Sequence, residues 1–257
     1  MVRKVDFPIP ELEEMEHYPP HLWYKGNRAL LARPKISIVG SRRPLSYTRS
    51  AVMQLAAALS RRGIVIVSGA AMGVDALAHR GAGVSNTIAV MGCGLDHRYP
   101  AINASLIGEI EEKGLVMSQF EPGFRARGWS FVVRNETVVA LGSVLVVAQA
   151  DRDSGTMRSV AFAEKMGKKI YVLPHRLGES EGTNDLLKEG RAEAIYDIDA
   201  FASLFGASEE ASGGEDFILY CKSAPSYEEA VKRFGDRLFE AELEGRIAIE
   251  NGRVILL

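Results

Sequence analysis

Cysteine is almost missing from this chain. Of 257 residues only Cys93 and Cys221 carry a thiol, which excludes a disulfide scaffold and an all-cysteine zinc centre. Net charge is nearly missing as well: 31 Lys+Arg stand against 33 Asp+Glu, a formal charge of -2. That balance argues against a uniformly basic coat for nucleic acid. Long apolar runs are absent too. No uncharged stretch approaches the ~20 residues a membrane helix needs, and the best, residues 138–150, is too short. The opening MVRKVDFPIPELEE is charged and proline-broken, unlike the apolar core of a secretory leader. The expected compartment is a reducing cytoplasm. At 47% hydrophobic and 25% charged, the composition is that of an ordinary soluble protein. The length suits one large domain and a small one, with a core that needs neither disulfide nor metal.

The small net charge hides a gradient. Residues 207–257 carry 6 basic and 11 acidic side chains, a net of -5, and the rest of the chain carries +3. An anion is therefore expected on the large part, and the acidic segment reads as a protein-contacting module.

Residues 1–34 hold five of the ten prolines and an aromatic cluster, Tyr18, Trp23 and Tyr24. They read as an irregular N-terminal lead-in packed on the domain that begins at Lys35. From Lys35 the pattern changes. The apolar runs KISIVG, IVIVSG, TIAVMG, LVMSQF, SVLVVAQA and KIYVLP alternate with helical stretches at 46–62, 72–83, 104–113, 132–141 and 159–166. Fully apolar strands alternating with helices predict an α/β fold, a parallel sheet covered on both faces over 35–206. The small, polar, glycine-rich residues 207–215 read as a linker. Residues 216–257 show about three short helical patterns and close on IAIE and RVILL around Asn251-Gly252, the strongest short hairpin signal. They are expected to form a winged-helix-like module.

In open parallel sheets ligands bind where strands end and loops begin. After the first run come Gly40, Ser41, Arg42 and Arg43. The glycine permits a sharp turn, and two guanidiniums there suit phosphate, or simply solvent. After the second come Ser68, Gly69, Gly73 and Asp75, an amide nest opening a helix. It is not GxGxxG, and no acidic residue ends the next strand to hold a ribose, so a hydride cofactor is not expected. His79 and Cys93 read as packing residues, with no metal site. After the fourth run, Phe124, Trp129 and Phe131 interleave with Arg125, Arg127 and Arg134. Rings between cations suit single-stranded nucleic acid, or anchor the loop. Asn135 fixes a turn or reads a base edge. After the fifth run, Ser154, Gly155 and Thr156 cap a helix or donate to a phosphate at its N-terminus. Lys168 precedes the sixth run. Several anion-compatible loops on one rim fit an extended polyanion better than a single nucleotide.

IVGSRRP, SGAAMGVDALAH, GCGLDHRYP, FVVRNE, SGT and GTNDLLKEG occur in this order, and the set resembles the DNA-processing protein A family (DprA/Smf) across roughly 35–206. The resemblance implies an extended Rossmann-like domain that binds single-stranded DNA. It implies a protein that protects incoming DNA in natural transformation and loads the RecA recombinase onto it. It also implies a homodimer, no cofactor and no enzymatic activity. The family's GSR motif falls on Gly40, Ser41 and Arg42; its glycine-serine loop on Ser68, Gly69, Gly73 and Asp75; its RNR-type motif on Arg134 and Asn135; its SG[ST] motif on Ser154, Gly155 and Thr156. Met72 and Glu136 stand where the family usually carries arginine. Arg127, Phe131 and Lys168 are added as DNA contacts from position and chemistry. The short lead-in is expected of a compact member, and the C-terminal module of a winged-helix-like appendage.

Two rival expectations come from other classes. A nucleotide-binding or nucleotide-hydrolysing Rossmann-like enzyme would need a general base, for which Asp75, Glu136 and His79 are the candidates. An oxidoreductase is disfavoured by the missing GxGxxG and ribose carboxylate.

Overall fold

All six apolar runs are strands in the computed structural model, and the helices between them follow the expected order. The chain runs β1 (Arg3–Lys4), β2 (Trp23–Gly26), β3 (Lys35–Val39), α1 (Ser46–Ser60), β4 (Val65–Ser68), α2 (Val74–Ala82), β5 (Thr87–Met91), α3 (Ala104–Lys113), β6 (Leu115–Ser118) and α4 (Gly128–Leu141). It continues through β7 (Leu145–Val147), α5 (Thr156–Lys165), β8 (Ile170–Val172), α6 (Glu181–Lys188), β9 (Glu193–Ala194) and α7 (Ile198–Ser203). The structure describes residues 1–16, 18–206, 217, 220–243 and 245–256, with backbone alone at 236, 237 and 243. Contacts divide it into two units, Met1–Gly206 and Ala207–Leu257. The expected linker at 207–215 lies outside the described residues.

In the first unit nine strands form one sheet in the order β1-β2-β6-β5-β4-β3-β7-β8-β9. From β6 to β9 neighbouring strands are parallel. Side chains alternate between the faces, as the period of a strand demands. On β3, Ile36 and Ile38 pack with Val52, Leu55 and Leu59 of α1. The opposite face carries Val39, with Val138 of α4 and Val160 of α5 in the same cluster. Ser37 faces α4 and donates to the Val138 carbonyl at 2.5 Å, so the one hydroxyl in this strand is satisfied.

The lead-in is the part that sequence pattern read incompletely. Residues 1–34 are mostly irregular or 3₁₀ and pack on the domain as expected, but Arg3–Lys4 and Trp23–Gly26 extend its sheet. β2 pairs antiparallel with β6, Trp23 opposite Ser118, and β1 pairs with β2. Ile9, Leu12, Met15, Leu22, Tyr24 and Leu30 enter the core cluster that contains α4. Each such burial contributes roughly 1.5–3 kcal/mol. Strands of two and four residues set among short 3₁₀ turns are too short to show a period.

The second unit has helices α8 (Tyr227–Phe234) and α9 (Asp236–Leu243), then an antiparallel hairpin of β10 (Ile247–Glu250) and β11 (Arg253–Leu256). The hairpin turns on Asn251 and Gly252, both at positive φ (51° and 74°), as a two-residue primed turn requires. Phe217, Cys221, Ala230, Leu238, Ala241, Ile247 and Val254 form its core.

Candidate nucleic-acid interface

The chain passes from β3 to β4 on one side and returns to β7 on the other, so strand order reverses at β3. Loops leaving β3 and β7 lead to helices on opposite faces and part to leave a crevice, the usual ligand position in such sheets. A cavity of about 540 Å³ lies here. It is lined by Gly40, Ser41 and Arg42 after β3, Gly69 and Asp75 after β4, Phe131, Arg134 and Asn135 from α4, and Ser154, Gly155 and Thr156 opening α5. Eleven of the sequence-selected positions thus meet in one place. Gly155 is the N-cap of α5, so the positive end of that helix lines the crevice, with the Met157 and Arg158 N–H groups bonded to the Ser154 and Gly155 carbonyls at 3.0 and 3.3 Å. The Ser154 hydroxyl is buried with no hydrogen-bond partner among the described residues.

The floor holds two buried charged side chains, Arg134 and Asp75, that attract each other electrostatically. Arg134 is 3% exposed, and its Nη1 donates to the Val90 carbonyl at 2.9 Å. A Cβ on Gly69 would fall inside its guanidinium, so the glycine after β4 is a socket for Arg134. Gly73 is constrained differently: its φ is +81°, and a Cβ would strike the Ser41 carbonyl. Asp75 is buried beside Arg134 and accepts from the Ala71 N–H at 3.2 Å, holding the nest closed. Burial pushes the Asp75 carboxyl above its ordinary value, and the Arg134 charge opposes that shift. Burial lowers Arg134, opposed by Asp75. His79 is pushed down to about 3 by burial and by Arg134, so it is a neutral packing residue bonded to Thr87 at 2.6 Å. Cys93 is buried, with its thiol pushed up to about 11, which leaves it inert as a nucleophile.

The walls carry a ring and an exposed cation. Arg42 is exposed and lies over the Phe131 ring, 5.7 Å from its centroid. Arg134 sits 6.0 Å from the same ring. Phe131 is on the first turn of α4, which starts four residues earlier than the spacing predicts, with Arg127 as its N-cap.

Other selected residues lie elsewhere. Arg43 and Arg127 are exposed but do not line the cavity. Ser68 is buried and donates to the Ile38 carbonyl. Gly73 lies behind the Ser41–Arg42 backbone. Lys168 is at the amino ends of the strands, the pole opposite the crevice. Its ammonium, 6% exposed, pairs with Glu14 at 2.8 Å and donates to the Ala140 and Gly142 carbonyls at 2.7 and 2.6 Å. It is a strut for the turn before β7, so its expected place among the DNA contacts is corrected. Lys168→Ala is expected to lower stability by about 1–3 kcal/mol and to leave DNA affinity within about twofold, read by urea denaturation and anisotropy on the same sample.

Sequence reasoning missed Tyr99, whose half-exposed ring lies 5.7 Å from Phe131 at 34°; its only signal was an aromatic in a strand-end loop. The loop aromatics divide. Phe120 and Phe124 stack at 4.6 Å, and Trp129 meets both edge-on, so they anchor the loop as well as surround it. Glu136, where the resemblance leads one to expect arginine, accepts from the Glu16 N–H at 3.3 Å and fastens the lead-in to α4. Among the described residues no group of three or more His, Cys, Asp or Glu could hold a metal, and no helix is long and apolar enough to cross a membrane.

The sequence model of the DNA recombination-mediator protein A family matches residues 1–206, the lead-in strands included. A DNA processing protein DprA of Streptococcus pneumoniae is 35% identical over 184 residues, 70% of this chain and 65% of the relative. A DprA-type protein of Mycobacterium tuberculosis is 33% identical over 205 residues, 77% of this chain and 52% of the relative. The chain therefore spans about half to two thirds of the length of these curated relatives. Among solved structures, DNA processing protein A from Helicobacter pylori, described for its single-stranded DNA binding mode, aligns with a TM-score of 0.77 at 39% identity, covering 79% of this chain and 94% of that one. The Streptococcus pneumoniae DprA structure aligns with a TM-score of 0.70 at 35% identity, covering 75% and 69%.

Proposed function

The chain belongs to the DNA recombination-mediator protein A family, and from that premise we propose that its strand-end crevice binds single-stranded DNA without catalysing a reaction on it. One observation carries the reading: the guanidinium of Arg42 lies over the ring of Phe131, and both line one cavity with the amino end of α5. A base stacks on the ring while Arg42 and the α5 amides hold phosphates. Neither contact reads a base edge, so binding in the crevice tolerates sequence. The groups that a nucleotide hydrolase would recruit are otherwise engaged. Asp75 closes the nest, Glu136 ties down the lead-in, and His79 is buried and neutral.

On this reading the protein is a cytoplasmic factor of natural transformation and DNA recombination. It shields incoming single strands and passes them to the RecA recombinase as a homodimer. The acidic 207–257 segment, at net -5, repels a polyphosphate and serves protein contact instead.

The test is Arg42→Ala. Anisotropy titrations with a mixed-sequence single strand should show weaker binding to every sequence. The slope of log affinity against log salt should fall by about 0.7, the share of one phosphate contact. An unchanged slope and affinity would remove Arg42 from the interface.

A further inference from the structure

The loop that forms one wall of the crevice also forms one wall of a second cavity. Gly40, Ser41 and Arg42 line the first; Leu45, Ser46 and Tyr47 line the second, about 540 Å³, whose other wall is Pro174–Arg176 and Glu179 after β8. Arg42 and Tyr47 are five residues apart, at most about 18 Å along the chain. The two cavities therefore lie within reach of one short strand of DNA.

The second cavity has an aromatic platform and acceptor-rich walls. Tyr47, in the first turn of α1, is 49% exposed and meets the His175 ring edge-to-face at 5.5 Å and 83°. His175 Nε2 lies 2.9 Å from the Ala148 carbonyl. A carbonyl can only accept, so Nε2 carries a hydrogen, and Nδ1 is an acceptor in the neutral form of the ring. That Nδ1 is buried and has no partner among the described residues. The half-buried Glu179 adds a carboxylate to the same wall, which the exposed Arg176 also lines. The Glu179 carboxylate, and Nδ1 in the neutral ring, accept hydrogen bonds and do not complement the O4 of thymine. They suit the exocyclic amine of cytosine or adenine.

We propose that this cavity is a second base subsite, taking an unpaired base with an exocyclic amine against Tyr47, with its amine toward His175 Nδ1 and Glu179. The proposal rests on the crevice binding single-stranded DNA, and it adds a base preference to an otherwise sequence-tolerant interface.

The test uses the full chain and labelled oligodeoxycytidines and oligodeoxythymidines of increasing length. Short oligomers fill only the crevice and should bind alike. Long oligodeoxycytidine should bind about tenfold more tightly than long oligodeoxythymidine. Tyr47→Ala should weaken the long cytidine strand about tenfold and leave short oligomers unaffected, which also shows that the variant is folded. Tyr47→Phe should keep wild-type affinity, since it keeps the ring. Glu179→Gln should shrink the cytidine preference. Equal binding of the long homopolymers, or unchanged long-strand affinity in Tyr47→Ala, overturns the second subsite alone. Failure of the wild-type chain to bind any oligomer overturns the crevice reading with it.

Discussion

Arg134→Ala is expected to destabilise the Met1–Gly206 unit by about 1.5–3 kcal/mol, the usual worth of a hydrogen bond made by a charged group. The substitution strips Asp75 of its compensating charge, leaves the Val90 carbonyl without its donor and empties the socket over Gly69. Urea denaturation followed by tryptophan fluorescence reads this unit alone, because the two tryptophans, Trp23 and Trp129, both lie within it. The deficit carries a pH signature. Burial already raises the Asp75 carboxyl in the folded state, and loss of Arg134 removes the charge that opposes the rise. An acid with a raised folded pKa costs stability once pH exceeds its unfolded value, and the cost fades as pH falls and the group protonates. The gap between wild type and variant should therefore narrow as pH falls toward about 4. A double variant with Asp75→Asn should recover part of the loss at neutral pH. A deficit that is small, or that widens in acid, would mean that Arg134 is not the partner of Asp75.

Phe131→Ala is expected to have the largest effect on DNA binding among single substitutions in the crevice walls. Loss of one base-stacking ring costs about 1–3 kcal/mol, a fall in affinity of about 5–150-fold. Phe131 carries no charge, so the salt slope should stay at its wild-type value. That is the opposite signature to Arg42→Ala, where the slope falls. The pair separates stacking from phosphate contact in one titration series. Phe131→Ala also removes the ring beneath Arg42 and beside Tyr99, so some of the loss reflects disorder of those neighbours. Phe131→Tyr keeps the ring and should retain most of the affinity. A parallel loss of slope would show that the ring acts by placing Arg42 rather than by stacking a base.

The sheet was readable from sequence because its central strands are buried on both faces and so appear as uninterrupted apolar runs. The crevice was readable for a related reason: loops at the carboxyl ends of such strands are where a ligand must bind. Burial was not readable. Arg134 looks like any cation in an aromatic loop, and only the packed fold shows it seated on Gly69 beneath the surface. Lys168 was misplaced because a lysine before a strand belongs to the amino pole, a geometric fact that residue type obscures. The lead-in strands were missed because they are too short to carry a period, and β2 is recognisable only from its pairing with β6. Tyr99 meets Phe131 and Tyr47 lines the second cavity through the folding of distant loops, which no local pattern records.

The central claim is that the crevice recognises unpaired DNA. Its most direct test is competition: the full chain, bound to a labelled mixed-sequence single strand, is challenged with the same unlabelled strand or with its duplex, at low and physiological salt. The single strand should displace the label at far lower concentration than the duplex, and affinity should fall steeply as salt rises. Equal displacement by duplex, or no binding of the single strand at low salt, would contradict that claim.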